Sequence, residues 1–302
     1  MAEATGIDSE ERARYELLPF DGIYEQAAEL PQPVRLTVTC SPMHGPDRAV
    51  QVASRLRELG HAVAVHVAAR MVRDRAHLDL LLAGIADGGA DDLFLIGGDI
   101  ERPVGEYSSA GELLPLLAEH PQRPRAIGIA GYPEAHPFIS EESLERALRD
   151  KSRFADYVTT QMCFDADAVR SWVERHREQG MTLPVLIGMP GRASRRQLLN
   201  MSVRIGVGPS LRFLRKQRGL RSLLSRRSTA DRLYDGLVPL LDESHMNVTG
   251  FQYFTFNQLT ETWKWHQNKL RAGGGRADRA TGARPSYAAR GDGGKYRKGE
   301  QA

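Results

Sequence analysis

Asp91-Asp92-Leu93-Phe94-Leu95-Ile96-Gly97-Gly98-Asp99 reads as a buried strand that stops on two glycines and a carboxylate. Leu93 to Ile96 is a continuous apolar run, too short for a helix and bounded by turn residues. Gly97 and Gly98 lack side chains, so a ligand or a second backbone can come close. Asp99 then stands at the carboxyl end of the strand, where parallel α/β proteins bind ligands. A tight turn with a solvated aspartate would look the same, so the neighbouring segments have to decide.

Working outward, the pattern repeats on both sides. Ala62–Val67 precedes the stretch as a strand, and Asp74 is placed to cap the helix between them, with Leu78, Leu81, Leu82 and Ile85 on one face. Further back, Val34–Cys40 is rich in β-branched residues, and Tyr15–Phe20 is a short strand with a carboxylate, Glu16, inside it. Asp47–Leu59, closed by Gly60, spaces its apolar residues as a helix. Downstream come a short helix at Gly111–Ala118, a strand at Ala126–Gly131 and the loop Tyr132–Pro137. A helix capped by Ser140 or Ser143 runs to Lys151. A strand at Tyr157–Phe164 and a helix capped by Asp165 follow. Val185–Met189 and Gly250–Phe256 complete eight strands, and Leu259–Leu270 is a closing helix. Eight alternating units favour a single-domain (β/α)8 barrel over a doubly wound sheet. The expected organisation is a mobile N-terminus at 1–11, the barrel at 12–271 and a disordered basic tail at 272–302.

The 302-residue chain is long enough for one such barrel. A net charge of +3 does not indicate nucleic acid. The start of the chain is acidic and polar, and no segment reaches membrane-spanning length. Cys40 and Cys163 both fall in predicted strands with no CxxC spacing, which suits reduced cytoplasmic thiols better than a disulfide or a metal. Oligomeric state is not readable.

A barrel brings the carboxyl ends of its strands to one mouth. Glu16, Thr39, His66, Asp99, the Tyr132/His136 loop, Gln161 and Phe256 are expected there. An unpartnered polar group inside an apolar strand costs about 1–3 kcal/mol. Several at one end are better explained by a ligand site than by chance, although His66 alone could be a core histidine bonded to a carbonyl. The histidines show no HxH or HExxH spacing, and no GxSxG is present. From Arg192 to Arg227 the chain carries ten arginines, Arg195 among them, and Lys216, with no acid. That suits an anion such as a pyrophosphate or a chain of carboxylates, and also a solvated helix face.

The motifs resemble the methylenetetrahydrofolate reductase family. Tyr15-Glu16-Leu17-Leu18-Pro19 is similar to its F-E-F-F-P, Val38-Thr39 to V-T, and Gly97-Gly98-Asp99 stands where the family reads R-G-D. Tyr132-Pro133-Glu134-Ala135-His136-Pro137 resembles Y-P-E-x-H-P. Thr160-Gln161-Met162-Cys163-Phe164-Asp165 resembles T-Q-x-x-F-D, and Phe251–Asn257 resembles F-H-F-Y-T-L-N. The matches keep the family's order from about Arg12 to His266.

The resemblance implies a (β/α)8 barrel that delivers hydride to 5,10-methylenetetrahydrofolate. Glu16 would be the acid, and Asp99 would bond the pterin edge and stabilise a 5-iminium cation. Gln161 and Thr39 would orient pterin and nicotinamide, and Phe256 would line the aminobenzoate region. The family's usual members hold FAD, and the arginine of R-G-D faces it; Gly97 replaces that arginine here. The chain looks closer to divergent, actinobacterial-type members, some of which work without flavin and would take hydride directly from NADH. His66, Tyr132, His136 and Gln161 would then contact the nicotinamide nucleotide, with Tyr107 and Arg195 as further cofactor-binding candidates. An FAD-dependent reductase and a non-catalytic folate-binding barrel are the alternatives.

Overall fold

The computed structural model describes residues 13–20, 22–136, 138–192 and 229–281. Eight parallel strands close into a barrel in sequence order. They are β1 (Ala13–Leu17), β2 (Arg35–Val38), β3 (Ala62–Ala68), β4 (Asp92–Ile96), β5 (Ala126–Gly131), β6 (Tyr157–Thr160), β7 (Val185–Pro190) and β8 (Val248–Phe254). β8 pairs with β1, with Phe251 opposite Ala13 and Phe254 opposite Glu16. Helices alternate with them: α1 (Ile23–Ala28), α2 (Gly45–Glu58), α3 (Arg75–Asp87), α4 (Ala110–Ala118), α5 (Glu141–Lys151), α6 (Ala166–Glu178), α7 (Thr229–Leu237) and α8 (Leu259–Thr281). Residues up to Trp265 form one unit; those from His266 onward, including the rest of α8, form another. The expected N-terminal segment 1–11, most of the arginine-rich segment and residues 282–302 lie outside the described residues.

Period-two alternation sets the two surfaces of the barrel. Tyr15 and Leu17, Leu36 and Val38, Val63, Val65 and Val67, and Leu93 and Leu95 join the main apolar core. Leu56 of α2, Leu78 and Leu82 of α3, and Leu113 and Leu117 of α4 meet them there. Full burial of each such side chain contributes about 1.5–3 kcal/mol. Phe94, Tyr157 and Leu186, which fall on the opposite parity, form a separate small cluster.

The helix starts follow from capping chemistry. Asp74 Oδ1 accepts from His77 N at 2.7 Å, and Asp165 Oδ1 accepts from Asp167 N and Ala168 N.

Several boundaries differ from expectation, each for a local reason. β6 stops at Thr160, because Gln161 Oε1 turns back to accept from Met162 N at 2.8 Å. Cys163 therefore lies in the loop beyond β6, and Cys40 lies just beyond β2; both are buried free thiols. β8 stops at Phe254, before Phe256 and Asn257 turn to φ of 52° and 59°. α8 continues to Thr281, beyond the expected end at Leu270, and its backbone stays helical through Gly273–Gly275. Glycine lowers helix propensity without forbidding the conformation.

Candidate active site

Two sets of polar side chains share the lumen face; the first joins strands that are not neighbours in the sheet, so its contacts cross the lumen. The lower set starts at Arg14 on β1. Its guanidinium lies 2.8 Å from Asp92 Oδ2 on β4, donates to Tyr157 Oη on β6 at 2.8 Å, and sits 4.5 Å from that ring's centre. Tyr157 Oη donates in turn to Asp92 Oδ1 at 2.7 Å. A Cβ at position 128 on β5 would fall 2.2 Å from the Tyr157 ring, so only glycine leaves room for it. Burial works against the Arg14 charge, but Tyr157 and Asp92 overcome it and leave its pKa raised. This layer is internally satisfied.

The upper set is one turn of the pleat closer to the mouth. Glu16 follows Arg14 by two residues on β1, so it shares the lumen face. Gln252 of β8 donates from Nε2 to Glu16 Oε2 at 2.7 Å. His66 of β3 places Nε2 3.9 Å from the same oxygen, too far for a hydrogen bond. Its ring leans on Phe94, with centres 4.7 Å apart. Glu16 keeps only 11% of its side-chain surface exposed, so it is reachable and nearly dry. Desolvation pushes its carboxyl up to about 8, against the pull of the Gln252 hydrogen bond. Burial and then Arg14 push the His66 imidazole down to about 3. At neutral pH the acid therefore carries its proton and the histidine carries no charge.

The backbone beneath Glu16 is fixed. Thr255 Oγ1 donates to Glu16 O at 2.6 Å. Asn257 clasps the next turn, accepting from Leu18 N at 2.9 Å and donating to Leu18 O at 3.2 Å. Gln26 of α1 ties down the same loop by donating to Asn257 O and accepting from Leu259 N. Phe256, half-buried, sits between these anchors in the left-handed region, beyond the strand that the sequence suggested for it.

Asp99 lies exposed at the rim after Gly98, whose φ of 93° needs glycine. Partial desolvation raises the Asp99 carboxyl, and His136 pulls it back. Tyr132 is pushed up to about 12 by burial and by Asp99, so it remains a phenol. Tyr132 and His136 meet edge to face at 5.4 Å. These three share the mouth. Glu134, between Tyr132 and His136 in sequence, turns away to a structural role, where its Oε1 accepts from Phe164 N and Asp165 N and joins two mouth loops.

Thr39 is buried at the end of β2, and its Oγ1 has no hydrogen-bond partner among the described residues. Gln161 is half-buried at the end of β6. His66 lies buried beside Glu16. Tyr107 is buried in the main apolar core, within the field of Glu106 and of Arg75, Asp74 and Asp79 around the start of α3. Arg195 lies outside the described residues. Gln252, the direct partner of Glu16, received no role from the sequence, although it stands in the β8 motif at the right parity to face β1.

Gly97 has open space where a side chain would point. Arg70, whose backbone N donates to Gly97 O at 3.0 Å, commits its guanidinium to the carbonyls of Ser108, Ile100 and Glu101 and pins the β4–α4 loop. A flavin pyrophosphate would find no cation at position 97 itself. Among the described residues no cluster of His, Cys, Asp and Glu could hold a metal ion.

The sequence pattern described as methylenetetrahydrofolate reductase matches residues 28–203, more than half of the chain. The chain belongs to the methylenetetrahydrofolate reductase family. It is 28% identical over 123 residues to methylenetetrahydrofolate reductase 2 of Saccharomyces cerevisiae and 27% identical over 120 residues to methylenetetrahydrofolate reductase 1 of Schizosaccharomyces pombe. Each match covers 37% of this chain and 20% of the yeast protein, so the chain matches about a fifth of these relatives' length. A similar solved fold is an uncharacterized protein from Clostridium thermocellum that binds two copies of 5-methyl-5,6,7,8-tetrahydrofolic acid. Its TM-score is 0.54 at 11% identity, over 84% of this chain and 94% of that one. At that identity the likeness concerns the fold.

Proposed function

We propose that this chain reduces 5,10-methylenetetrahydrofolate to 5-methyltetrahydrofolate, with NADH as direct hydride donor and no flavin. The observation that carries the reading is Glu16, a nearly dry carboxyl hydrogen-bonded to Gln252 on the lumen face of a barrel of this family.

Opening the substrate's imidazolidine ring needs a proton at N10. Glu16 supplies it: its O–H bond breaks as the N10–H bond forms, and the electron pair stays on the carboxylate, which Gln252 Nε2 is placed to hold. The methylene–N10 bond then breaks and leaves a 5-iminium cation. Asp99 at the rim stabilises that cation. The dihydronicotinamide, when bound, supplies hydride to the iminium carbon. Thr39 Oγ1, buried and without a partner among the described residues, fits a carboxamide there. Gln161 orients the pterin, Phe256 lines the aminobenzoate region, and Tyr132 and His136 form an aromatic wall for the nucleotide. Tyr107 has no part in this scheme.

The flavin-free half of the reading rests on Gly97. A charge-assisted phosphate contact contributes about 1.5–3 kcal/mol, and position 97 cannot make one. The test is anaerobic NADH oxidation by colourless, flavin-stripped protein with methylenetetrahydrofolate. Turnover without added FAD is the expected result. Turnover only after FAD is added would return the chain to the flavin mechanism. None in either case would favour a folate-binding barrel without catalysis.

A further inference from the structure

Glu16 meets few polar groups in the lumen. Gln252 approaches from β8 at hydrogen-bond distance, and His66 approaches from β3 at 3.9 Å. Arg14 lies below on the same strand, closed off by Asp92 and Tyr157, and bears on His66. Thr37 of β2 is in register beside Glu16. Gln252 is the side chain that bonds the carboxyl, and it is 2% exposed.

A proton donor must be held in two states, before and after it gives up its proton. A carboxylate needs a donor, and a carboxylic acid needs an acceptor for its O–H. A carboxamide offers both: –NH2 on one side and C=O on the other, exchanged by a half-turn about its last bond. A lysine or arginine at position 252 would also bond the carboxylate, but its charge would strip the proton from Glu16 well below neutral pH. An aliphatic residue would leave the buried carboxylate unpaired after transfer, at the full desolvation cost.

We infer that Gln252 is a positioning residue for Glu16, keeping the acid tethered in one place through both protonation states without adding charge. In the protonated state Gln252 Oε1 accepts the Glu16 O–H. As that proton leaves for the substrate, the amide turns and Nε2 donates to the new carboxylate. No proton or electron passes through Gln252 itself. The neutral imidazole of His66 walls the other side of the carboxyl without competing for the proton. The inference rests on the reading of Glu16 as the acid, but its physical core, the Glu16–Gln252 coupling, can be tested without substrate.

The experiment is an infrared titration of the Glu16 carboxyl C=O band in the full chain, free of folate and nucleotide, with Glu16→Gln as the blank. Gln252→Met removes the hydrogen bonds and keeps the straight chain; Gln252→Ala replaces it should the Met variant not fold. In either, the midpoint should rise by about one pH unit, because the carboxylate has lost its donor. The same variant should lose roughly tenfold in kcat, with the folate KM within about threefold. Gln252→His, whose neutral ring also donates and accepts, should restore both to near wild type. An unchanged midpoint on loss of the amide overturns the inference, as does a Gln252→His variant as impaired as Gln252→Met. A wild-type protein with no reductase turnover would overturn the functional reading and leave the titration result standing.

Discussion

Two buried polar layers sit two residues apart on β1, and they are built in opposite ways. The lower one sets Arg14 against Asp92 and Tyr157, so its charges cancel and its hydrogen bonds close on one another. The upper one gives Glu16 no cation. The layer is neutral because the acid keeps its proton and His66 takes none. A satisfied layer is scaffold, since nothing can be added or removed without loss. The layer neutralised by protonation can change state when a base arrives, and it is the layer at the mouth.

The comparison breaks most sharply at Glu16 itself. Glu16→Gln should lower kcat by about 10²–10⁴-fold, the usual share of a general acid, with folate affinity changed far less. Its melting temperature should equal or exceed the parent's, because an amide needs no proton to stay neutral. Steady-state kinetics beside a thermal melt would decide this; equal turnover in the two proteins would remove Glu16 from the mechanism.

The lower layer should respond the other way round. Arg14→Met leaves Asp92 buried without its cation and should cost about 3–5 kcal/mol by urea unfolding. Arg14→Met combined with Asp92→Leu should recover part of that loss. If the single variant unfolds at the parental urea concentration, the layer is not an internally paired scaffold.

The two layers also separate by pH. Free Glu16 would give up its proton near 4.5, but the folded chain holds it to about 8. The folded state thus carries the extra proton, and Glu16's contribution to stability is lost as pH rises through that window. His66 acts with the opposite sign. Its folded value of about 3 lies below the ordinary 6.5, so its contribution is lost as pH falls through that range. The two oppose each other between 4.5 and 6.5, and Glu16 acts without that opposition from 6.5 to 8. Unfolding free energy should fall over that upper interval in the parent and flatten there in Glu16→Gln. A slope that survives the substitution would belong to another group.

The barrel was legible because each strand announces itself locally, as Leu93–Ile96 does before its glycines. Glu16, Asp99 and Gln161 were legible for the same reason, as polar groups at the ends of apolar runs. The pairing across the lumen was not. Arg14 sits at the edge of the first strand and Asp92 at the start of the fourth, and each alone looks like a solvated strand end. That they meet depends on barrel closure and stagger, which no local pattern states. Tyr107 shows the complementary limit: a tyrosine in a polar loop looks like a ligand contact, and its packing into the main apolar core is not visible in the local pattern. Gln252 stands inside a legible strand, yet its meaning lies in its partner on β1, almost the full length of the barrel away in sequence.

Smaller effects refine how the upper layer is held. Asn257 makes two hydrogen bonds to the backbone of Leu18 from a left-handed conformation that asparagine tolerates better than most residues. Asn257→Ala should cost about 1–2 kcal/mol in urea unfolding and raise hydrogen exchange at Leu18. An unchanged exchange rate would mean that the clasp does not hold the end of β1.

Gly97→Arg should be the mildest change in stability and the most informative about the cofactor. A Cβ at position 97 meets nothing within 4 Å, and the backbone there is not in the left-handed region, so the variant should stay within about 0.5 kcal/mol of the parent. What it adds is a cation at a strand end that now lacks one. FAD titrated into both proteins, followed by quenching of flavin fluorescence, should bind the variant more tightly than the parent. Tight, stoichiometric binding to the parent would mean that other residues already hold the pyrophosphate, and the flavin-free reading would fall while Glu16 kept its role. Equal, weak binding to both would place the obstacle to flavin elsewhere in the mouth, with the tightly pinned β4–α4 loop under Arg70 the next segment to open.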